Sequence, residues 1–92
     1  MKSPLRVIPG VGPRIARSME NIGIRQVSDL AGRDPEELYR LDCLQKGFRE
    51  DRCALYIWRM AVYYAEHPEP EPEKLKWWYW KDRPYPALKE GE

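Results

Sequence analysis

The sequence predicts a compact all-α domain, and three observations carry that expectation. Prolines stand where helices should begin, at Ser3-Pro4, Gly12-Pro13 and Asp34-Pro35, and glycines follow where they should stop, at Gly23, Gly32 and Gly47. The segment Asp51 to Glu66 carries apolar residues at helical spacing over more than half of its circumference. Finally, Ile8-Pro9-Gly10-Val11-Gly12-Pro13-Arg14-Ile15-Ala16 reads as the end of one short helix, a tight turn and the beginning of another.

Taken in order, Ser3 is a natural N-cap and Pro4 a first helical residue, for a very short helix reaching Ile8. The turn glycines are free to take positive φ, and without a Cβ they let the backbone come close to a partner. Pro13 suits the first turn of the next helix, whose amide there has no intrahelical partner. That helix should run to about Asn21, with Ile15, Ala16, Met19 and Ile22 inward and Gly23 just past its end. Gly23 to Leu30 is a turn and a short connector closing at Gly32, with Gln26 where a Ser or Thr cap is expected. Asp34-Pro35-Glu36-Glu37 combines a cap, a first-turn proline and an acidic residue three positions after the cap, which is a capping box. Leu38, Leu41 and Leu44 form the inward stripe of this helix, and Leu44 to Arg49, with Gly47, make a second turn.

Asp51 to Glu66 should be the longest helix. Cys53, Tyr56 with Ile57, Met60 with Ala61, and Tyr64 form one apolar stripe, and Leu55, Trp58 and Val62 form another. Two stripes are more than a surface helix needs, so something must cover both. The natural cover is the tail Trp77-Trp78-Tyr79-Trp80, folded back on the second stripe, or a symmetry mate in a homodimer. The tail lies beyond His67-Pro68-Glu69-Pro70-Glu71-Pro72-Glu73, a linker whose alternate prolines make it extended, spanning roughly 15–20 Å. The organisation is therefore a helical domain over residues 4–66 and a linker with a Trp-rich tail over 67–92, packing on the long helix.

Composition excludes several classes. The 92 residues make one domain with little core to spare. No apolar run approaches a membrane span, and no signal-peptide core follows the start, so a cytoplasmic location is expected. Cys43 and Cys53 are read as reduced core residues, spacing alone leaving a disulfide open. With one distant His67 they make no tetrahedral zinc set. The net charge is only +1, but it is unevenly spread: residues 1–33 carry +4, residues 34–73 carry −5 and residues 74–92 carry +2. A local positive patch attracts a polyanion even when the total is near neutral, and the acidic middle should face away from it or bind something else.

The positive end coincides with the glycine turn. A helix beginning at Pro13 presents unpaired N–H groups and its positive dipole end, and Arg14 and Arg17 stand beside them. The expected guest is a phosphate, held by Pro9, Gly10, Val11, Gly12, Arg14 and Arg17. The same string also suits a purely structural corner or a protein-docking module, because fold does not fix function.

The apolar-Pro-Gly-apolar-Gly-Pro-basic-x-Ala string resembles the hairpin of helix-hairpin-helix modules, which grip nucleic-acid backbones without reading bases. Ala16 falls where such modules need a small residue for close helix packing. The resemblance implies a domain of two helix-hairpin-helix units (the SAM-like arrangement) about a pseudo-dyad, the second degenerate because its turn has only Gly47. It also implies backbone amides near Gly10 and Gly12 on phosphate oxygens with Arg14 as the charged partner. A monovalent cation, K+ or Na+, on the carbonyls of Arg6, Ile8 and Val11 is what such hairpins allow; no other cofactor is implied.

A narrower likeness joins Asp34-Pro35-Glu36-Glu37-Leu38-Tyr39, Asp51-Arg52-Cys53-Ala54-Leu55-Tyr56 with Arg59-Met60-Ala61-Val62-Tyr63-Tyr64-Ala65, and Leu75-Lys76-Trp77-Trp78-Tyr79-Trp80-Lys81-Asp82. These segments are similar to those of the bacterial pathogenicity-locus family, small stand-alone helix-hairpin-helix proteins often labelled mitomycin resistance proteins. The resemblance spans about residues 4–82 and implies a bacterial, nucleic-acid-associated protein with no known catalytic residues.

Catalysis is not expected. His67 sits in a proline-rich linker, Ser3, Ser18 and Ser28 have no His nearby in sequence, Asp34 and Glu37 are explained as caps, and Glu69, Glu71 and Glu73 as a solvated face. Trp77, Trp78 and Trp80 suit a hydrophobic clasp better than a platform for unpaired bases, and Arg52 and Arg59 should pair with the acidic segment. Two functions are therefore carried forward. One is a sequence-independent DNA-binding module of repair or stress response. The other is a protein-interaction adaptor using the apolar long helix and Trp77, Trp78 and Trp80. Neither has a membrane role.

Overall fold

Proline and glycine punctuate the helices much as the sequence implies. A computed structural model describes residues 4–81, 83 and 85. Among them are α1 (Pro13–Asn21), α2 (Pro35–Lys46) and α3 (Arg52–Glu66), with short 3-10 turns at Pro4–Val7, Val27–Asp29, Pro72–Leu75 and Trp77–Trp80. The expected Ser3 cap and tail residues 86–92 lie outside the described residues.

α1 ends in a Schellman arrangement. Gly23 takes φ +92°, its N–H reaches the Glu20 carbonyl at 3.0 Å, and the Ile24 N–H reaches that of Met19 at 2.9 Å. Ile24 is thereby drawn into the core. At Gln26 the connector is capped from the other end: the Asp29 carboxylate accepts the Arg25 and Gln26 N–H groups at 3.0 and 3.2 Å.

α2 starts as expected on Asp34, whose carboxylate accepts the Glu36 N–H at 3.0 Å, with Pro35 in the first turn. The capping box does not form. Glu37 turns outward to Arg33 at 3.8 Å, an exposed pair of small energetic consequence. The inward stripe also differs. It runs Pro35, Leu38, Asp42, whereas Leu41 is half-buried and Leu44 is 66% exposed. Steps of three and four residues keep one face of a helix, and the face that meets α3 passes through Asp42 rather than Leu44. A polar residue on that ray hid it from a hydrophobicity reading.

α3 lies at the centre, and Leu55 to Met60 and Ala61 to Tyr63 are buried apart from half-buried Ile57. The Leu55–Trp58–Val62 stripe faces the α1 and α2 side, since Trp58 shares a cleft with Ile15, Ser18 and Asp42. The tail does not cover that stripe, contrary to expectation. It lies along the Tyr56–Arg59–Tyr63 flank: the Tyr56 and Trp77 rings are near-parallel with centroids 6.4 Å apart, and Trp80 packs on Tyr63 at 5.4 Å. Cys53, expected in the core, is exposed in the first turn of α3, and Cys43 is half-buried; both are free thiols. The linker is extended only in part, because Pro72–Leu75 folds into a 3-10 turn fastened by Lys74 to Glu71 at 2.7 Å and by the Trp80 indole N–H to the Lys74 carbonyl at 2.8 Å. His67 is half-buried rather than solvated, its Nδ1 2.8 Å from the Tyr63 carbonyl and its ring stacked on Tyr63.

The Cα radius of gyration is 12.5 Å, as expected for a compact chain of this length. No helix of the described residues is long and apolar enough to cross a membrane.

Candidate nucleic-acid interface

Leu5, Ile8 and Val11 hold the Pro9–Gly12 turn to the body of the protein, all three being buried. The turn is closed by Ile8 N–H to the Leu5 carbonyl at 3.1 Å and Val11 N–H to the Ile8 carbonyl at 3.0 Å. Pro9 and Gly10 are therefore held outward, exposed, above Met60 of α3. Gly10 takes φ +82°, a region that costs an L-residue about 1–2 kcal/mol. Gly12 does not: it is an extended N-cap at φ −94°, ψ −173°, and a Cβ there would meet open space. Gly10→Ala is accordingly expected to lower stability in urea by about 1–2 kcal/mol, while Gly12→Ala, which replaces a favoured N-cap without backbone strain, costs less than about 1 kcal/mol. Equal midpoints for the two variants would contradict this geometry.

α1 then rises from Gly12, whose carbonyl accepts the Ala16 N–H at 2.9 Å. The N–H groups of Gly10, Gly12, Arg14 and Ile15 have no intramolecular partner among the described residues. Arg14 and Arg17 are exposed and form no ion pair there. Of the six residues expected at the site, Pro9, Gly10, Gly12, Arg14 and Arg17 thus present outward groups together. Val11 serves from beneath, with its side chain buried and its amide already used. Of the carbonyls considered for a cation, that of Ile8 already accepts the Val11 amide.

The acidic middle of the chain does not face away from this patch. A groove of about 540 Å³ beside α1 is lined by Arg14, Arg17, Asn21, Lys46, Phe48 and Glu50, and a smaller cleft joins Arg14 to Asp42, Glu50 and Asp51. The carboxylates are partly neutralised in place. Lys46 pairs with Glu50 and stands 3.4 Å from Asp42. Burial pulls the Lys46 ammonium down, but hydrogen bonding and attraction from Glu50 and Asp42 outweigh it, so its pKa is raised. Asp42 is almost fully buried, and one oxygen has no hydrogen bond. Burial pushes its pKa above the ordinary carboxylate value despite Lys46.

An acid whose folded pKa is raised binds protons more tightly when folded, so its contribution to stability falls as pH rises from the unfolded value of about 4 through the folded one. The difference in stability between Asp42→Asn and the parent should therefore move in favour of the variant between about pH 4 and pH 7. Urea unfolding at both pH values measures it, and a difference that does not change with pH would count against the assignment.

On the other side of Phe48 lies a second groove, about 770 Å³, between α2 and α3; Tyr39, Arg40, Cys43, Arg49 and Arg52 line it. The Tyr39 hydroxyl donates to the Glu50 carbonyl and the Glu50 N–H points to Cys43 Sγ at 3.2 Å, which fixes the turn joining the helices. Sequence reasoning missed this groove because it looked for glycines in the second turn. The legible signal was an aromatic residue in a turn flanked by Lys46, Arg49 and Arg52.

A family model described as the pathogenicity locus, Cdd1, matches residues 2–84. The chain belongs to the pathogenicity locus family. The chain is also 37% identical over 78 residues to the mitomycin resistance protein McrB of Streptomyces lavendulae, covering 85% of this chain and 70% of that protein. No solved structure matches the chain. In this family member the matched region takes in both grooves, α3 and the tail turns that pack on it.

Proposed function

We propose that this pathogenicity-locus protein binds DNA through the sugar-phosphate backbone without reading base sequence, in DNA repair or stress response in the cytoplasm. In this reading Pro4 to Asn21 is one helix-hairpin-helix unit and α2 with α3 is its degenerate partner. The observation that carries the reading is the outward cluster of four amides, at Gly10, Gly12, Arg14 and Ile15, and two guanidinium groups, none of them with a partner among the described residues. Amides at a helix start and bare cations are the groups that receive phosphate. No catalytic step is part of the proposal.

Two or three phosphate contacts give weak binding, around 10⁻⁴–10⁻⁶ M, with a slope of log K against log salt of about −2 to −3. Fluorescence anisotropy of a labelled duplex at several salt concentrations tests this, with Arg14→Ala as the variant. The expected result is weakened binding of unrelated sequences alike; affinity that ignores salt or the Arg14 change would overturn the reading. The resistance named for the Streptomyces relative suggests mitomycin survival of a deletion strain as a cellular readout.

The adaptor reading keeps one supporting observation, the exposure of Trp77 and Trp78. Its other support is weakened, since most of the apolar surface of α3 is covered within the chain.

A further inference from the structure

We propose that the turn between α2 and α3 is a second nucleic-acid contact, at which Phe48 stacks on an unpaired base while Arg49, Arg52 and Arg40 hold the phosphates beyond it. The preferred ligand is then a duplex with a single-stranded extension. This inference rests on the DNA-binding reading and deepens it.

Gly47 ends α2 in the left-handed conformation, and the chain leaves it with Phe48 60% exposed beside the exposed Leu44. Phe48 and Leu44 together put apolar surface in water at the mouth of the groove between α2 and α3. The position of Phe48 is what gives it meaning. Phe48 lines both grooves: Arg14 and Arg17 share the first with it, and Arg40, Arg49 and Arg52 share the second. A ridge carrying one aromatic ring therefore separates two sets of guanidinium groups.

The acids of the second groove are already engaged. Glu36 is tied to Arg59, Glu37 to Arg33, and Asp34 caps α2. Arg40 and Arg49 form no ion pair with any described residue. Arg52 feels the Tyr56 hydroxyl and the Glu36 carboxylate that Arg59 holds. The surface thus offers free cations on both sides of a ring, which complements a strand with phosphates on both sides of a base. Within a duplex the faces of each base are covered by neighbours, so only an unpaired base has a face to give Phe48. Such stacking tolerates any base, in keeping with a protein that does not read sequence.

The test uses the full chain and three labelled oligonucleotides of equal length: a blunt duplex, a duplex with thymidine arms and a single strand. The forked duplex is expected to bind about tenfold more tightly than the blunt one, and Phe48→Ala to remove that preference by weakening forked binding far more than blunt binding. Phe48→Tyr should retain it. The Arg49→Ala, Arg52→Ala double variant should weaken forked binding and reduce its salt slope by about two. Because Phe48 is exposed, melting by circular dichroism should show the variants folded. Equal affinity for forked and blunt DNA, or a Phe48→Ala change that affects both alike or neither, would overturn the inference. Blunt binding that remains sensitive to Gly12→Asp would show the first contact intact, whereas no binding to any of the three would remove both readings.

Discussion

Gly12→Asp is expected to weaken duplex binding at least tenfold while leaving the melting temperature unchanged or slightly raised. Gly12 is an extended N-cap whose Cβ direction is open, so aspartate fits without strain. Aspartate is a preferred residue at that position, and it exceeds glycine there by only a few tenths of a kcal/mol. The new carboxylate would occupy the Arg14 and Ile15 amides and stand where a phosphate oxygen should come. Two negative charges about 4 Å apart near a protein surface repel by up to about 4 kcal/mol, so a tenfold loss (1.4 kcal/mol) is a conservative expectation. A substitution that improves the helix and removes the function separates binding from folding. Unaltered affinity in a folded Gly12→Asp protein would leave the turn as a structural corner.

Arg59→Met should be the most destabilising single change outside the apolar core, by about 2–3 kcal/mol, or a fall in Tm of about 10–20 °C for a domain of this size. Arg59 is 6% exposed on α3 and holds two elements at once. One nitrogen donates to the Trp80 carbonyl at 2.7 Å and another to Glu36 at 2.7 Å, while its guanidinium lies 5.6 Å from the centre of the Tyr56 ring. Methionine keeps much of the stem but leaves the Trp80 carbonyl without its donor. Glu36 is about half exposed, so water takes over its charge and its share of the loss is small. Glu36→Gln should accordingly cost less than about 1 kcal/mol. Thermal and urea unfolding of both variants distinguish the two contributions, and equal losses would mean that the ion pair, not the tail contact, dominates.

The two sites differ in how much of them could be read from residues alone. The first turn was legible because the role proposed for it lies in backbone chemistry: prolines and glycines at fixed offsets specify where amides are bare, and Arg14 follows two residues after Gly12. Phe48 and its arginines were not, because they come from the end of α2, the turn and the start of α3, and only their meeting makes a groove. Asp42 and Leu44 show the same limit. Hydrophobicity placed Leu44 inward, whereas the buried face of α2 passes through Asp42, and Lys46 and Glu50 then gather around it.

The residue order by itself determined where the three helices begin, the all-α class and the bare amides around Arg14, whereas α2 runs on through Lys46 into what reads as a turn; propensity, capping and backbone freedom act over three or four neighbouring positions. Tertiary structure alone decided which flank of α3 receives the tail, that Arg59 joins Tyr63 in fastening Trp80, and that acids of the middle segment sit beside Arg14. These outcomes depend on which surfaces meet once helices pack, and packing joins residues whose separation along the chain carries no local signal.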